Sequence, residues 1–126
     1  MLNYIKPLLD IIQNTCPNFD LKYWNSEKNV VNNKVITYYT KLNTVEGYNT
    51  DAIFGSIYVD IWAKNMNDIA DAENALYLAL RHWQYENMNI FILIDKVGFN
   101  DFGEERNTEL NRVNGQIDIR ILFVTE

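Results

Sequence analysis

Three aspartates, Asp60, Asp95 and Asp118, each sit in a stretch where apolar and polar residues alternate. Brought together by their strands, three carboxylates would suit a divalent cation and metal-dependent chemistry. That convergence requires a strand register that spacing alone does not supply. A second acidic group, Asp101, Glu104 and Glu105, has the wrong spacing for an EF-hand loop and stands beside Arg106, so it reads as a solvated charged segment. The one histidine, His82, falls where a helix is expected to end, a position that suits a cation facing the helix dipole better than a catalytic base. Cys16 has no histidine or lysine close in sequence to lower its pKa and reads as an inert thiol. No Ser-His-Asp set can be assembled, no His/Cys group has metal-ligand spacing, and the five glycines form no phosphate-cradling loop. The expectation is a protein that is not an enzyme, with no catalytic residues, metal or cofactor.

Composition points the same way. A chain of 126 residues, 48% hydrophobic and 13% aromatic, is long enough to bury a core as one domain spanning 1–126 and is too apolar for disorder. Its net charge of -6, with no basic stripe, disfavours binding to nucleic-acid backbones. With one cysteine there is no internal disulfide, which fits a reducing compartment. The first ten residues lack the charged start and apolar run of a signal peptide, and no run approaches membrane-spanning length. We therefore expect a protein made inside the cell and without a membrane partner.

The elements that must position these residues follow from periodicity. Leu2, Ile5, Leu8, Leu9 and Ile12 make a helical stripe, with Asn3 as the cap and Pro7 in the opening turn. Lys34–Leu42 and Gly55–Lys64 read as strands. Asn65 and Asn67 offer caps for a second helix in which Ile69, Ala72, Leu76, Ala79, Leu80 and Trp83 recur at helical spacing. Met88–Val97 and Val113–Val124 read as two more strands. The order α-β-β-α-β-β predicts an α+β domain, a mostly antiparallel four-stranded sheet with two helices packed on one face. Ile61, Leu76, Ile92, Ile119 and Phe123 are its expected core.

Strand alternation then sorts the remaining side chains. If Ile57, Val59, Ile61, Ile90, Ile92, Ile94, Ile117, Ile119 and Ile121 point to the helices, the other face carries Tyr58, Asp60, Trp62, Phe91, Leu93, Asp95, Asp118, Arg120 and Leu122. Such a mixture of aromatics, arginine and carboxylates has the composition of an interface centre. Tyr58, Asp60, Trp62, Phe91, Asp118 and Arg120 are accordingly the candidate interface residues. The segment from Phe99 to Arg112 is long for a hairpin connection and holds Phe99 and Phe102 among charges. Phe99, Phe102, Glu104, Glu105 and Arg106 are therefore expected to engage a neighbouring subunit or another partner.

The stretch Tyr58-Val-Asp-Ile-Trp-Ala-Lys64, the capped Ala/Leu helix from Asn67 to Trp83, and the closing Arg112-Val-Asn-Gly-Gln-Ile-Asp-Ile-Arg120 resemble the tail terminator, or tail-completion, proteins of long-tailed bacteriophages. Relatives of that family occur in tail-like bacteriocins and phage-derived particles. The resemblance runs from about Phe54 to the end of the chain and rests on strand and helix patterns, with no catalytic signature. It implies a structural virion-assembly protein forming a homo-oligomeric ring, a hexamer, that caps the head-proximal end of a tail tube. The implied partners are the tail tube protein and a neck or head-tail connector protein, with DNA passing through the ring without specific binding. The implied location is the virion tail, after assembly in the bacterial host cytoplasm. A neighbouring role as a neck or head-tail joining protein is the second reading, and a small metal-dependent enzyme using Asp60, Asp95 and Asp118 the third.

Overall fold

The structure is a computed structural model that describes residues 4–23, 34–45, 52–105 and 110–123, without the side chains at 44–45, 101–105 and 110. Its elements are α1 (Lys6–Thr15), β1 (Asp20–Tyr23), β2 (Lys34–Val45), β3 (Ala52–Ala63), α2 (Met66–Leu80), β4 (Gln84–Glu86), β5 (Ile90–Glu105) and β6 (Leu110–Phe123). No described helix is long and apolar enough to cross a membrane.

The two helices form where the periodicity requires. In α2 the side chain of Asn65 accepts the N–H of Asn67 at 2.9 Å, and Ile69, Ala72, Leu76 and Leu80 turn to the core. In α1, Pro7 sits in the first turn, where its missing N–H costs nothing, and Leu8 and Ile12 are buried. The α1 cap position is Ile5, with no side-chain cap, and the expected cap Asn3 lies outside the described residues. Trp83 does not continue the α2 stripe. The helix ends at Leu80, and Arg81 and His82 occupy a turn, so neither stands in its last turn.

The sheet corrects the expected architecture. It has six strands in the order β1-β2-β3-β6-β5-β4, curls into a half-barrel, and is mixed because β1 runs parallel to β2 while the other pairs are antiparallel. The two additional strands are edges of four and three residues, too short to display a period of two. β5 begins later than expected, at Ile90, because the Asn87 side chain accepts the N–H groups of Asn89 and Ile90 and closes a turn between β4 and β5.

The segment from Phe99 to Arg112 is likewise mostly strand. β5 runs on to Glu105 and pairs with β6 as far as Glu105 with Leu110, leaving only 106–109 as the connection. Register shifts between Ile94 and Lys96, and between Asp101 and Gly103, let the polar stretch remain in the ladder. The first shift also reverses the phase of β5, so Phe99 packs against the core instead of facing outward. Its partner is Gly115, where a Cβ would lie 2.5 Å from the Phe99 ring.

The core lies between the helices and one face of the sheet, and Ile57, Val59, Ile61, Ile92, Ile117, Ile119 and Ile121 are buried there. Each buried isoleucine contributes about 1.5–3 kcal/mol relative to an exposed one. Of the expected core, Ile61, Leu76, Ile92 and Ile119 are buried, while Phe123 is half-buried and meets Tyr4 edge to face at 5.1 Å.

Candidate functional site

The face of the sheet turned away from the helices is built by β2, β3, β5 and β6, and its side chains follow from the register. Thr37 stands across from Asp60, and Asp60 across from Asn114. Trp62 pairs with Arg112, Ser56 with Asp118, and Phe54 with Arg120.

Its most covered member is Asp60, with a residue exposure of 2%. A buried carboxylate is costly unless it is paired and hydrogen-bonded. Here one of its oxygens, Oδ1, accepts from Arg112 Nε at 3.1 Å and from Asn114 Nδ2 at 2.9 Å. The Arg112 guanidinium also lies 5.0 Å from the centre of the Trp62 ring, a cation–π distance. Trp62 in turn donates its indole N–H to Thr37 Oγ1 at 3.1 Å. These contacts tie β2, β3 and β6 together on the side away from the helices.

Asp118 belongs to a separate group. Its Oδ1 accepts from Ser56 Oγ at 2.6 Å and from Gln116 Nε2 at 2.9 Å. The Ser56 and Gln116 hydrogen bonds hold its carboxyl below the ordinary carboxylate range, with a further contribution from Lys96. Asp95, at the β5 register shift, is gripped by Arg120, whose Nε lies 2.9 Å from both carboxylate oxygens and whose Nη2 lies 2.8 Å from one.

Apolar groups surround these pairs. Phe54, Leu122 and Tyr39 are 46%, 37% and 37% exposed. Tyr39 stacks on Tyr58 with centroids 4.8 Å apart, and Phe91 and Leu93 are half-buried. A shallow groove of about 420 Å³ runs between Phe54, Ser56, Asp95, Gln116, Asp118 and Arg120.

The three aspartates share this face without converging, because each is held by a different set of partners. Among the described residues no three His, Cys, Asp or Glu side chains come close enough to hold a metal ion. His82 is exposed in the turn after α2. Cys16 is buried, and burial pushes its thiol up to about 11, so it is not a thiolate at neutral pH.

Of the residues singled out from sequence, Tyr58, Asp60, Trp62, Phe91, Asp118 and Arg120 do lie together on the outer face. Phe99 lies on the other face, while the side chains of Phe102, Glu104 and Glu105, and Arg106 as a whole, lie outside the described residues. Sequence reasoning overlooked Thr37, Tyr39, Phe54, Arg112 and Asn114. The β2 alternation carried a signal for the first two, whereas Arg112 was hidden by the expectation that its segment is a loop.

No protein-family model matches the sequence, and no curated protein matches it. Among solved structures, a chain described as belonging to the "Virion of native gene transfer agent (GTA) particle" aligns over 90% of this chain and 84% of its own, at a TM-score of 0.49 and 6% identity.

Proposed function

We propose that this chain is a structural protein of a phage-like particle and that the outer face of its sheet is an assembly surface. One observation carries this reading. The face combines exposed Phe54, Leu122 and Tyr39 with carboxylates that already hold partners within the chain, Asp60 with Arg112, Asp95 with Arg120 and Asp118 with Ser56 and Gln116, so a partner can cover the apolar groups while these carboxylates keep their hydrogen bonds. Interfaces draw most of their affinity from such aromatic anchors, with satisfied polar groups around them.

The finer assignment follows the sequence resemblance. The protein forms a ring, with six copies as the working number, that caps the head-proximal end of a tail tube. It ends tube growth there and presents a docking surface to the neck. The neighbours in the ring, the tail tube protein and a neck or connector protein are its partners. A net charge of -6 suits a channel through which DNA slides, since like charge disfavours sticking. The protein is made in the bacterial host cytoplasm and ends up in the tail.

Deleting the gene in the particle that encodes the chain tests this directly by electron microscopy. Overlong or unterminated tails are the expected result. Normal-length tails with detached heads would assign the chain to head-tail joining instead, and intact particles would overturn both readings.

A further inference from the structure

The sheet ends at β4, and the backbone geometry there leaves hydrogen-bonding groups open. The N–H of Asn87 donates to the carbonyl of Ile90 at 3.0 Å, which makes this the first hydrogen-bonded pair of the β4–β5 hairpin. Bonded and non-bonded pairs alternate along an antiparallel ladder, so Tyr85 with Ile92 is the next bonded pair. Gln84 and Glu86 therefore turn their N–H and C=O groups away from β5, toward the edge. Among the described residues no hydrogen bond is made to these groups, and Glu86 has no ion-pair partner.

Beside this edge, on the helix side, a groove of about 530 Å³ separates α1 from β4, with Pro7, Ile11, Trp83, Tyr85 and Ile90 among its lining. The Trp83 and Tyr85 rings lie 6.2 Å apart and nearly parallel, at 17°, and both pack against the core. Lys6 and Asp10 at the rim lie 3.6 Å apart and offset each other, while Glu86 on β4 has no ion-pair partner among the described residues.

We propose that the β4 edge and this groove together accept an extended segment of another protein, added to the six-stranded sheet as a further strand. The segment alternates apolar side chains, which enter the groove opposite Tyr85, with basic side chains, which lie opposite Gln84 and Glu86 on the other face. Opposite charges directly across a ladder are favourable, and like charges are not. Three residues expose too few backbone groups to hold a strand alone, so the groove supplies selectivity while the short edge discourages indiscriminate pairing. This inference concerns the β4 edge and the helix-side groove, and its failure would leave the reading of the outer face around Phe54 and Leu122 unaffected.

The test uses the full chain and a short blocked peptide alternating lysine with valine, compared by calorimetry with the same peptide N-methylated at its lysine amides. The unmethylated peptide should bind more tightly by at least about tenfold. In hydrogen exchange the Gln84 and Glu86 amides should be fast in the free chain and slow with the peptide, whereas the Tyr85 amide should be slow throughout. Gln84→Pro removes an outward N–H at the first residue of an edge strand, where proline is tolerated, and should weaken peptide binding by at least about tenfold with the unfolding midpoint nearly unchanged. Equal binding of both peptides would reduce the effect to attraction by an acidic chain and overturn the proposal, as would no binding at all. Edge protection that grows with protein concentration in the absence of peptide would place a second copy there and overturn it too.

Discussion

The two faces of the sheet use the same strands for opposite purposes. The buried inner face is apolar and rich in isoleucine, from Ile57 and Ile61 to Ile117, Ile119 and Ile121, and the helices meet it with isoleucine, leucine and alanine. The outer face contains an arginine on a tryptophan, a buried aspartate, a serine-glutamine-aspartate group and several exposed aromatics. Uniform packing can be filled by any apolar side chain of the right volume, so the inner face specifies that the chain folds. Hydrogen-bonded groups have fixed partners and directions, so the outer face is organised by specific pairs where the inner face is organised by volume.

If this division is right, the largest loss of stability comes from the inner face. Leu76→Ala, which opens a cavity between α2 and the sheet, should cost about 2–5 kcal/mol in a denaturant titration. Arg112→Ala comes next, because it leaves the buried Asp60 carboxylate with the Asn114 amide as donor and without its cation. The side chain of Arg112 is itself 27% exposed, so the cost belongs toward the lower end of the about 3–5 kcal/mol typical of breaking a buried pair. Arg120→Ala breaks the Asp95 pair, whose side chains are 51% and 41% exposed, and should cost less than about 1 kcal/mol. An equal loss for the two arginines would erase the distinction between structural and surface pairs on this face.

The smallest effect is one of pH. The Asp118 carboxyl titrates below its ordinary value of 3.8 in the folded chain, chiefly through the Ser56 hydroxyl. Its contribution to stability is therefore complete above that value and is lost as pH falls through the lower, folded-state pKa. Ser56→Ala should make the acid limb of the stability profile shallower while leaving the neutral region nearly unchanged, as thermal melts at stepped pH would show.

Much of this was legible in the sequence. The inward and outward sets on β3 and β6 follow from alternation, and α2 follows from Asn65 and the spacing of Ile69, Leu76 and Leu80. Pairing was not legible, because partners are fixed by register. Asp60 on β3 is bound by Arg112 on β6, and Arg120 on β6 by Asp95 on β5. The β5 register shift was not legible either, and it moves Phe99 from one face to the other. β1 and β4 escaped notice because four and three residues carry almost no periodic signal of their own.

The central claim is that the outer face is a surface for assembly, and one variant addresses it most directly. Phe54 and Leu122 are partly exposed and lie outside the core cluster, so the double substitution Phe54→Ser with Leu122→Ser should leave the purified chain folded, with a smaller fall in thermal unfolding midpoint than Leu76→Ala causes. Supplied in place of the native gene, that variant should be lost from purified particles when its abundance is quantified by mass spectrometry. A variant that folds normally and is incorporated at the native level would contradict the account.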